Sequence, residues 1–319
     1  MLIYASCTTA HLVQYIQWDK DDYNFKSLSF AQKDMKDAYS IEPNLDSKPA
    51  DYARKRLNLT ESSFSQVGQD LTVMEILGNQ KGGYFLDLAA NHWKQLSNTL
   101  LLEVDYGFKG VCFEPNPQYH LELLRNRRCQ LVTSPVAGLT NEIVKFRFDG
   151  VLGGIIHEDL DNKPGVSQSH AIDYTTGNLN GDAVEVELAT VSLTAVLSFL
   201  QAPNTIDYLS LDVEGAEFLI LQHHDFGMYH FKCITVERPS LHLHKLLTAN
   251  KYRWLAQLGD FGDCTYIHES LPNFDELMSK YQHARSDRWQ TLNGPPHEYM
   301  HKVFKFIVGT GELQEHRTP

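Results

Sequence analysis

The sequence lacks an apolar run long enough to span a membrane, and its first residues lack the basic segment of a secretory signal. A helix that crosses a bilayer needs about 20 consecutive apolar residues, and no run in the 319 residues approaches that length. The start, MLIYASCTTAHLV, carries no lysine or arginine. We therefore expect no membrane span. The compartment stays open: a soluble cytoplasmic protein, or a lumenal domain of a longer one.

Basic residues are also scarce relative to acidic ones. The chain has 28 Lys and Arg against 40 Asp and Glu, a net charge of −12. A protein with this charge repels a phosphate backbone at long range, so nucleic acid is not an expected partner. Hydrophobic residues make up 42% of the sequence, enough for a large core. We expect one large domain, with or without an appendage.

Cysteine is uncommon and is not arranged as a metal site or a disulfide framework. The five cysteines are an odd number without a CxxC spacing: Cys7, Cys112, Cys129, Cys233 and Cys264. Cys112 and Cys233 lie in apolar runs typical of core strands, so we expect buried free thiols. One glycosylation sequon is present, Asn58-Leu59-Thr60. A lone sequon occurs readily by chance and says little about the compartment.

Beyond Gly83, apolar runs of strand length alternate with helical patterns. The predicted strands are YFLDL (84–88), GVCFE (110–114), CQLVTS (129–134), IDYLSLD (206–212) and FKCITVE (231–237). The predicted helices between and beside them cover residues 97–107, 117–127, 192–200 and 214–224. This alternation is typical of the α/β class, with a parallel sheet and helices on both faces.

Two segments interrupt the alternation and suggest a domain organisation. Short helical patterns over 11–18 and 49–59 predict an N-terminal helical extension over 1–61, before a main domain over 62–319. Residues 149–182 are rich in Gly, Asp, Asn and Ser. A loop of this length within a compact domain is typically a lid, an insert or a disordered segment.

Acidic residues end four of the five predicted strands: Asp87, Glu114, Asp212 and Glu237. Ligands of open α/β sheets bind beyond the carboxyl ends of the strands. An acid at the end of the second strand is in position to accept hydrogen bonds from both hydroxyls of a ribose. Glu114 has this position, which favours an adenosine compound or NAD over NADP. The alternative is that Glu114 only caps a helix or lies at the surface.

The turn after the first predicted strand lacks the glycines of a dinucleotide site. A pyrophosphate needs close approach of the backbone and a free helix N-terminus, whereas this turn reads Ala89-Ala90-Asn91-His92-Trp93. The bulkier turn disfavours a pyrophosphate but not a cofactor without phosphate. S-adenosylmethionine is such a cofactor, and its positive sulfonium and amino groups suit acids at strand ends. An NAD-dependent oxidoreductase is a weaker alternative.

Four stretches resemble the FkbM family of S-adenosylmethionine-dependent methyltransferases over about residues 62–240: SQVGQD (65–70), DLAANHWKQLSNTLLLE (87–103), GFKGVCFEPNP (107–117) and IDYLSLDVEGAEFLIL (206–221). The DVEGAE string is the most specific, and the SNT and EPNP forms resemble the eukaryotic Star-like branch. The resemblance implies a Rossmann-like fold with a mostly parallel seven-stranded sheet and an antiparallel last strand. It also implies methyl transfer, usually to a hydroxyl of a sugar or small natural product.

The resemblance and the strand ends together give the expected cofactor-binding residues: Asp87, Ala89, Ala90, Asn91, Glu114, Pro115, Asn116, Val136 and Asp212. Relatives usually read Gly-Ala-x-Asp-Gly at the first turn, where this chain has Ala89, His92 and Trp93 at the Gly, Asp and Gly positions. Alanine for glycine at position 89 is a small change if φ is negative. If φ is positive, it costs about 1 kcal/mol or more.

Asp212 and Glu237 are the expected catalytic residues, because they end adjacent strands of the cleft. Methyl transfer to a hydroxyl needs a base or a metal ion to take up the proton, and these two acids can act as a base or bind Mg²⁺. Mg²⁺ stays an open alternative, and no metal ligands are assigned. His242 and His244 are expected to be solvated loop residues. The expected partner is a small-molecule or glycan acceptor, and the oligomeric state is open. The competing hypothesis is a non-catalytic protein with a binding or trafficking role.

Overall fold

A nine-stranded sheet forms the centre of the computed structural model, which describes residues 15–19, 24–27, 54–55, 57–165, 183–259, 262–281, 305–306 and 313–314. The described strands, in chain order, are β1 (Tyr15–Asp19), β2 (Asn24–Ser27), β3 (Tyr84–Leu88), β4 (Lys109–Phe113), β5 (Gln130–Val132), β6 (Val136–Ala137), β7 (Ile143–Phe148), β8 (Gly154–Ile155), β9 (Val184–Ala189), β10 (Val191–Ser192), β11 (Thr205–Leu211), β12 (His230–Glu237), β13 (Tyr252–Leu258), β14 (Asp263–His268), β15 (Lys305–Phe306) and β16 (Leu313–Gln314). The helices with described ends are α1 (Gln69–Ile76), α2 (Leu100–Tyr106), α3 (Pro117–Asn126), α4 (Leu193–Phe199), α5 (Glu217–Leu221), α6 (Leu241–Ala249) and α7 (Phe274–Lys280).

The strand order of the main sheet is β13-β14-β12-β11-β3-β4-β5-β1-β2. Strands β12, β11, β3, β4 and β5 are parallel to one another. Strand β14 is antiparallel to both of its neighbours, β12 and β13. The prediction of a mostly parallel α/β sheet is confirmed. The predicted count of seven strands is short by two, because β1 and β2 extend the sheet beyond β5.

The N-terminal segment is not helical where the structure describes its strands. Residues 15–18 belong to β1, which pairs in parallel with β5, so the predicted helix over 11–18 is wrong there. The contact of β1 with a strand more than one hundred residues later is not visible in a local pattern. Tyr15, Ile16 and Trp18 have the aromatic and β-branched side chains that favour strands. Arg54 and Lys55 are helical, as predicted for 49–59, but the prediction is wrong for 57–59, where residues 57–58 form a turn and Leu59 is irregular. The domain boundary at 61 stays a prediction.

Helices cover both faces of the main sheet, as the alternation predicts. Successive strand residues point to opposite faces, so Leu86 and Leu88 of β3 join one apolar cluster and Phe85 joins the other. The first cluster includes buried residues of α4, α5 and α6. The second includes buried residues of α1, α2, α3 and α7. The near-continuous apolar runs of the central strands follow from burial on both faces.

Helix α6 and strand β13 were not predicted. Ser240 caps α6, because its side chain accepts a hydrogen bond from the Leu243 amide at 3.2 Å. Leu243 and Leu247, four residues apart, are fully buried. The interpretation of His244 as a solvated loop residue is wrong, since it is 6% exposed and its Nδ1 lies 3.1 Å from the Tyr266 hydroxyl.

A small antiparallel sheet of β8, β7 and β9, here called the cap sheet, covers part of the carboxyl edge of the main sheet. Residues 149–165 contribute a short 3-10 helix (Gly150–Leu152), strand β8 and a turn. The rest of the predicted lid, residues 166–182, lies outside the described residues. No helix among the described residues has the length and apolarity to cross a membrane.

The prediction of free thiols is wrong for Cys112 and Cys129, which form a disulfide. Their Cα atoms lie 5.9 Å apart, across the neighbouring strands β4 and β5. Their separation of 17 residues gave no sequence signal, because the contact depends on strand pairing. Cys233 and Cys264 are free and buried, as expected, and Cys7 lies outside the described residues.

Candidate cofactor and catalytic site

A cavity lies at the carboxyl ends of β3, β4 and β5 and is lined on one side by β8 of the cap sheet. Three predicted cofactor residues line it: Ala89, Pro115 and Val136. The full lining is mostly apolar: Leu88, Ala89, Phe113, Pro115, Ser134, Pro135, Val136, Phe146, Gly153, Gly154, Ile155, Val213 and Ala216. An apolar cavity at the carboxyl edge of a parallel sheet lies where open α/β folds bind their ligands.

The turn after β3 has a strained backbone. Ala89 has φ 62° and Asn91 has φ 49°, both in the left-handed region that favours glycine. The Asn91 side-chain amide donates to the Ala89 carbonyl at 3.0 Å, and the Ala90 amide donates to the Phe113 carbonyl at 3.0 Å. These bonds hold the turn in a conformation that costs Ala89 about 1 kcal/mol or more.

His92 closes the second half of this turn. Its Nδ1 accepts hydrogen bonds from the backbone amides of Lys94 at 3.1 Å and Gln95 at 2.9 Å. In relatives this position carries an acid that can meet a cationic ligand. Here the ring nitrogen stabilises the loop instead, so a contribution to cofactor binding must come from other residues.

Glu114 joins the first turn to the second. Its Oε2 accepts from the Asn91 amide at 2.8 Å and its Oε1 from the Asn116 amide at 2.7 Å. Burial raises the pKa of Glu114 to about 7, against the effect of these two bonds. Each carboxylate oxygen keeps a second lone pair that can accept from a hydroxyl. Glu114 is 3% exposed and lies behind the cavity lining, between its lining neighbours Phe113 and Pro115.

Asp87 belongs to a polar network beneath the turn, not to the cavity wall. Its Oδ2 accepts from the Thr99 hydroxyl at 2.5 Å, and burial raises its pKa. Arg127, 2% exposed, donates to the Thr99 hydroxyl at 2.7 Å and the Ser97 hydroxyl at 3.1 Å, and it pairs with Glu103 at 3.3 Å. Sequence reasoning missed Arg127, although the Ser97 and Thr99 positions of the SNT form were singled out.

The structure brings Asp212 and Glu237 together at the carboxyl ends of β11 and β12. Leu211, which precedes Asp212, pairs with Val236, which precedes Glu237. Glu237 in turn pairs with Asp263 of β14, so the three acids lie side by side on the neighbouring strands β11, β12 and β14. Asp212, Glu214 and Glu237 each offer an oxygen within 4.8 Å of the others. We call Asp212, Glu214, Glu237 and Asp263 the acidic cluster.

Burial and the repulsion of neighbouring acids disfavour the charged forms of Asp212, Glu214 and Asp263. Burial, followed by the charges of Glu237 and Glu214, raises the pKa of Asp212 well above its usual range. The same causes raise the pKa of Glu214 to about 8 and that of Asp263 to about 6. Perturbed carboxyl groups beside a cavity mark a candidate catalytic site.

Arg238 is the cation paired with the acidic cluster in the described part of the chain. Its Nη2 lies 2.8 Å from Glu237 Oε2, 3.4 Å from Glu214 Oε2 and 3.2 Å from Asp161 Oδ2. Asp161 belongs to the described part of the predicted lid, and its amide donates to the Glu214 carbonyl at 3.2 Å. Sequence reasoning missed both Asp161 and Asp263, because only their positions in the fold bring them to the cluster.

Glu217 has a structural partner of its own. Its Oε1 accepts from the Gly215 amide at 3.1 Å and, at 3.4 Å, from the Val213 amide. It therefore closes the DVEGAE turn at the start of α5. Val213 and Ala216 of the same turn line the cavity, which places the acidic cluster beside it.

A comparison with family models finds the methyltransferase FkbM domain over residues 19–260 of the chain. A comparison with curated proteins finds no match.

Proposed function

Because the chain belongs to the FkbM methyltransferase family, we propose that it transfers the methyl group of S-adenosylmethionine to a hydroxyl of a sugar or small natural product. The observation that supports this proposal best is the position of the apolar cavity beside the acidic cluster. Ala89, Pro115 and Val136 line the cavity, and Val213 connects it to Asp212 and Glu214.

The residues around the cavity suit a cofactor with an apolar body, a ribose and positive charge. The apolar lining accepts the adenosine, and the free lone pairs of Glu114 accept the ribose hydroxyls. The turn at 89–91 has no glycine-rich phosphate cradle, and this cofactor needs none. When bound, S-adenosylmethionine supplies an electrophilic methyl group. The chain supplies orientation, exclusion of water by the cap sheet, and a proton acceptor.

Asp212 is the proposed proton acceptor. A carboxylate with a raised pKa is a stronger base than an ordinary one, which suits removal of a hydroxyl proton. Glu237 lies next to Asp212 in the cluster, and Arg238 pairs with Glu237 and balances part of the negative charge. Replacing Asp212 by Asn removes the base but keeps the shape of the side chain.

A divalent cation is the alternative way to neutralise the cluster. Asp212, Glu214 and Glu237 offer three oxygens within 4.8 Å of one another, and Mg²⁺ prefers oxygen ligands. In this form of the proposal the three carboxylates would hold the ion, and the ion would supply a Lewis acid for the acceptor hydroxyl. If methyl transfer survives EDTA treatment unchanged, the carboxylate-base form is correct.

The activity is tested with S-adenosylmethionine carrying a labelled methyl group and a panel of sugars and hydroxylated natural products. We expect labelled product and release of S-adenosylhomocysteine, both lost in Asp212→Asn. Glu142→Gln, an exposed acid on the approach to β7, serves as the matched control and should keep full activity. Product formation that is equal in Asp212→Asn and the parent chain would contradict the role of Asp212.

A non-catalytic role is the second candidate, and one observation favours it. Both carboxylate oxygens of Glu114 already accept backbone hydrogen bonds, and Glu114 lies behind the cavity wall. The fold would then serve binding or trafficking, as the resemblance to the Star-like branch allows. A thermal shift series separates the candidates: stabilisation by S-adenosylmethionine supports the enzyme, and stabilisation by neither it nor NAD supports the binding protein.

A further inference from the structure

The disulfide between Cys112 and Cys129 indicates the compartment in which the chain folds. Both residues are at most 2% exposed, and their Cα separation of 5.9 Å is typical of a disulfide. Structural disulfides form and persist in oxidising compartments and are rare in the cytosol. The bridge closes the segment that carries Glu114 and helix α3, so it belongs to the core of the domain.

The glycosylation sequon lies at the surface of the same domain. Asn58 is exposed in a turn with φ 51°, and Thr60 is exposed as well. Leu59 between them is 7% exposed and anchors the turn in the core. Arg54 fixes the turn by two hydrogen bonds: its Nη1 donates to the Glu61 carbonyl at 2.7 Å and its Nη2 to Asp105 Oδ2 at 2.7 Å. The acceptor asparagine is therefore accessible while its neighbour is fixed.

We propose that the chain folds in the lumen of the secretory pathway, where Cys112 and Cys129 are joined and Asn58 carries an N-linked glycan. The two observations are independent, since the disulfide lies in the core and the sequon at the surface. Each alone is weak evidence for a compartment, and the lumen of the secretory pathway is where both modifications occur together. The proposal does not depend on the methyltransferase activity.

Both covalent steps have a defined co-reactant in that compartment. In the first, the two thiols lose two protons and two electrons, and the disulfide of an oxidoreductase is reduced to a dithiol. In the second, the Asn58 side-chain nitrogen forms a bond to the anomeric carbon of a lipid-pyrophosphate-linked oligosaccharide. The bond from that carbon to the pyrophosphate oxygen breaks, and the lipid pyrophosphate leaves as the amide loses a proton.

The test uses the full-length product made in its own host cells. We expect N-glycosidase to increase its electrophoretic mobility, and Asn58→Gln and Thr60→Ala each to abolish this change. Asn79→Gln is the matched control, because Asn79 is also exposed with a positive φ, of 55°, but begins no sequon. A mobility that N-glycosidase does not change would overturn the assignment of Asn58.

The disulfide is tested in the same material by alkylating free thiols before denaturation and analysing peptides without reduction. We expect a cross-linked peptide pair containing Cys112 and Cys129, and alkylation of Cys233 and Cys264 only after the chain is unfolded. Alkylated Cys112 and Cys129 without reductant would overturn the lumenal proposal. Because neither readout needs cofactor or acceptor, failure here is distinct from failure of the proposed enzyme activity.

Discussion

Strained residues gather at the carboxyl edge of the main sheet. Among the described residues, four non-glycine residues with positive φ lie at this edge: Ala89, Asn91, Glu214 and Arg238. Left-handed backbone costs an ordinary residue about 1–2 kcal/mol, and such strain persists where the surrounding structure imposes it, often at functional sites. These residues lie in the turns after β3, β11 and β12, which adjoin the cavity and the acidic cluster.

Ala89→Gly tests the strain in the first turn directly. Glycine adopts φ 62° without the clash of a Cβ, so we expect the variant to be more stable by up to about 1 kcal/mol. Urea unfolding measures the change. Ala90→Gly is the control, because Ala90 is buried and lacks a positive φ, and it should destabilise the chain. Equal destabilisation by both substitutions would contradict the account of the turn.

Glu214 should make the stability depend on pH. Its pKa is raised from 4.5 to about 8 by burial and by Glu237, so the unfolded chain releases this proton at lower pH than the folded chain does. The folded state therefore loses stability as the pH rises between these values. Urea unfolding at about pH 5 and about pH 8 should show a smaller difference in Glu214→Gln than in the parent. The exposed Glu142→Gln should leave the difference unchanged.

Individual site residues were predictable from the sequence when they ended a strand. Asp212, Glu237 and Glu114 were found this way, because an apolar run followed by an acid marks the carboxyl edge of a parallel sheet. Asp161 and Asp263 carried no such signal, since one lies in an irregular loop and the other begins an antiparallel strand. The role of Asp87 as a buried network member also depended on Arg127, which lies 40 residues later and reaches the network through the Thr99 hydroxyl.

Residues 149–165, here called the cap segment, pack against the DVEGAE turn. Gly215 has φ 94°, and a Cβ at this position would lie 3.0 Å from the Asp161 amide nitrogen. Together with the Asp161–Arg238 ion pair, this close contact holds residues 149–165 against the acidic cluster. The glycine of DVEGAE is therefore required both by the positive φ of Gly215 and by its close contact with Asp161 of the cap segment.

Gly215→Ala should destabilise the chain by about 1–2 kcal/mol and weaken the contact with Asp161. Gly78→Ala is the matched control, since Gly78 also has a positive φ, of 65°, but no atom lies within 4 Å of its added Cβ. The difference between the two variants in urea unfolding isolates the cost of the contact. No difference would mean that the cap segment does not rest on this turn.

Cys129→Ala should cost about 3 kcal/mol of stability, because the bridge closes a loop of 17 residues. Cys233→Ala is the control for lost packing, as Cys233 is equally buried but free. Reductant should lower the denaturation midpoint of the parent and of Cys233→Ala, and leave Cys129→Ala unchanged. A parent chain that is insensitive to reductant would contradict the structural role of the disulfide.

Elements with strong local patterns were predicted, and those defined by distant partners were not. Strands β3, β4, β11 and β12 followed from apolar runs with acids at their ends. Strand β1 was missed because its pairing with β5 joins segments more than one hundred residues apart. Helix α6 was missed although its signals, the Ser240 cap and the spacing of Leu243 and Leu247, are local.

At the scale of the whole molecule, the acids at the strand ends and the parallel sheet both suit the proposed methyl transfer from S-adenosylmethionine. The proposed cofactor, S-adenosylmethionine, carries positive charge, and the acids lie at the carboxyl edge where the cavity opens. The FkbM domain match over residues 19–260 begins at the last residue of β1 and includes β2 to β13, and therefore all these features except Asp263. The central claim is that the altered turn, with Ala89 and His92, still binds S-adenosylmethionine.

Calorimetric titration of S-adenosylmethionine and S-adenosylhomocysteine into the purified chain tests this claim most directly. We expect micromolar binding of both, weakened at least about tenfold, or ~1.4 kcal/mol, in Glu114→Ala. Glu122→Ala, a half-exposed acid on α3, is the control and should bind as the parent does, and unfolding midpoints confirm that each variant is folded. An absence of binding by the folded parent would contradict the account, and the fold would then serve a partner other than this cofactor.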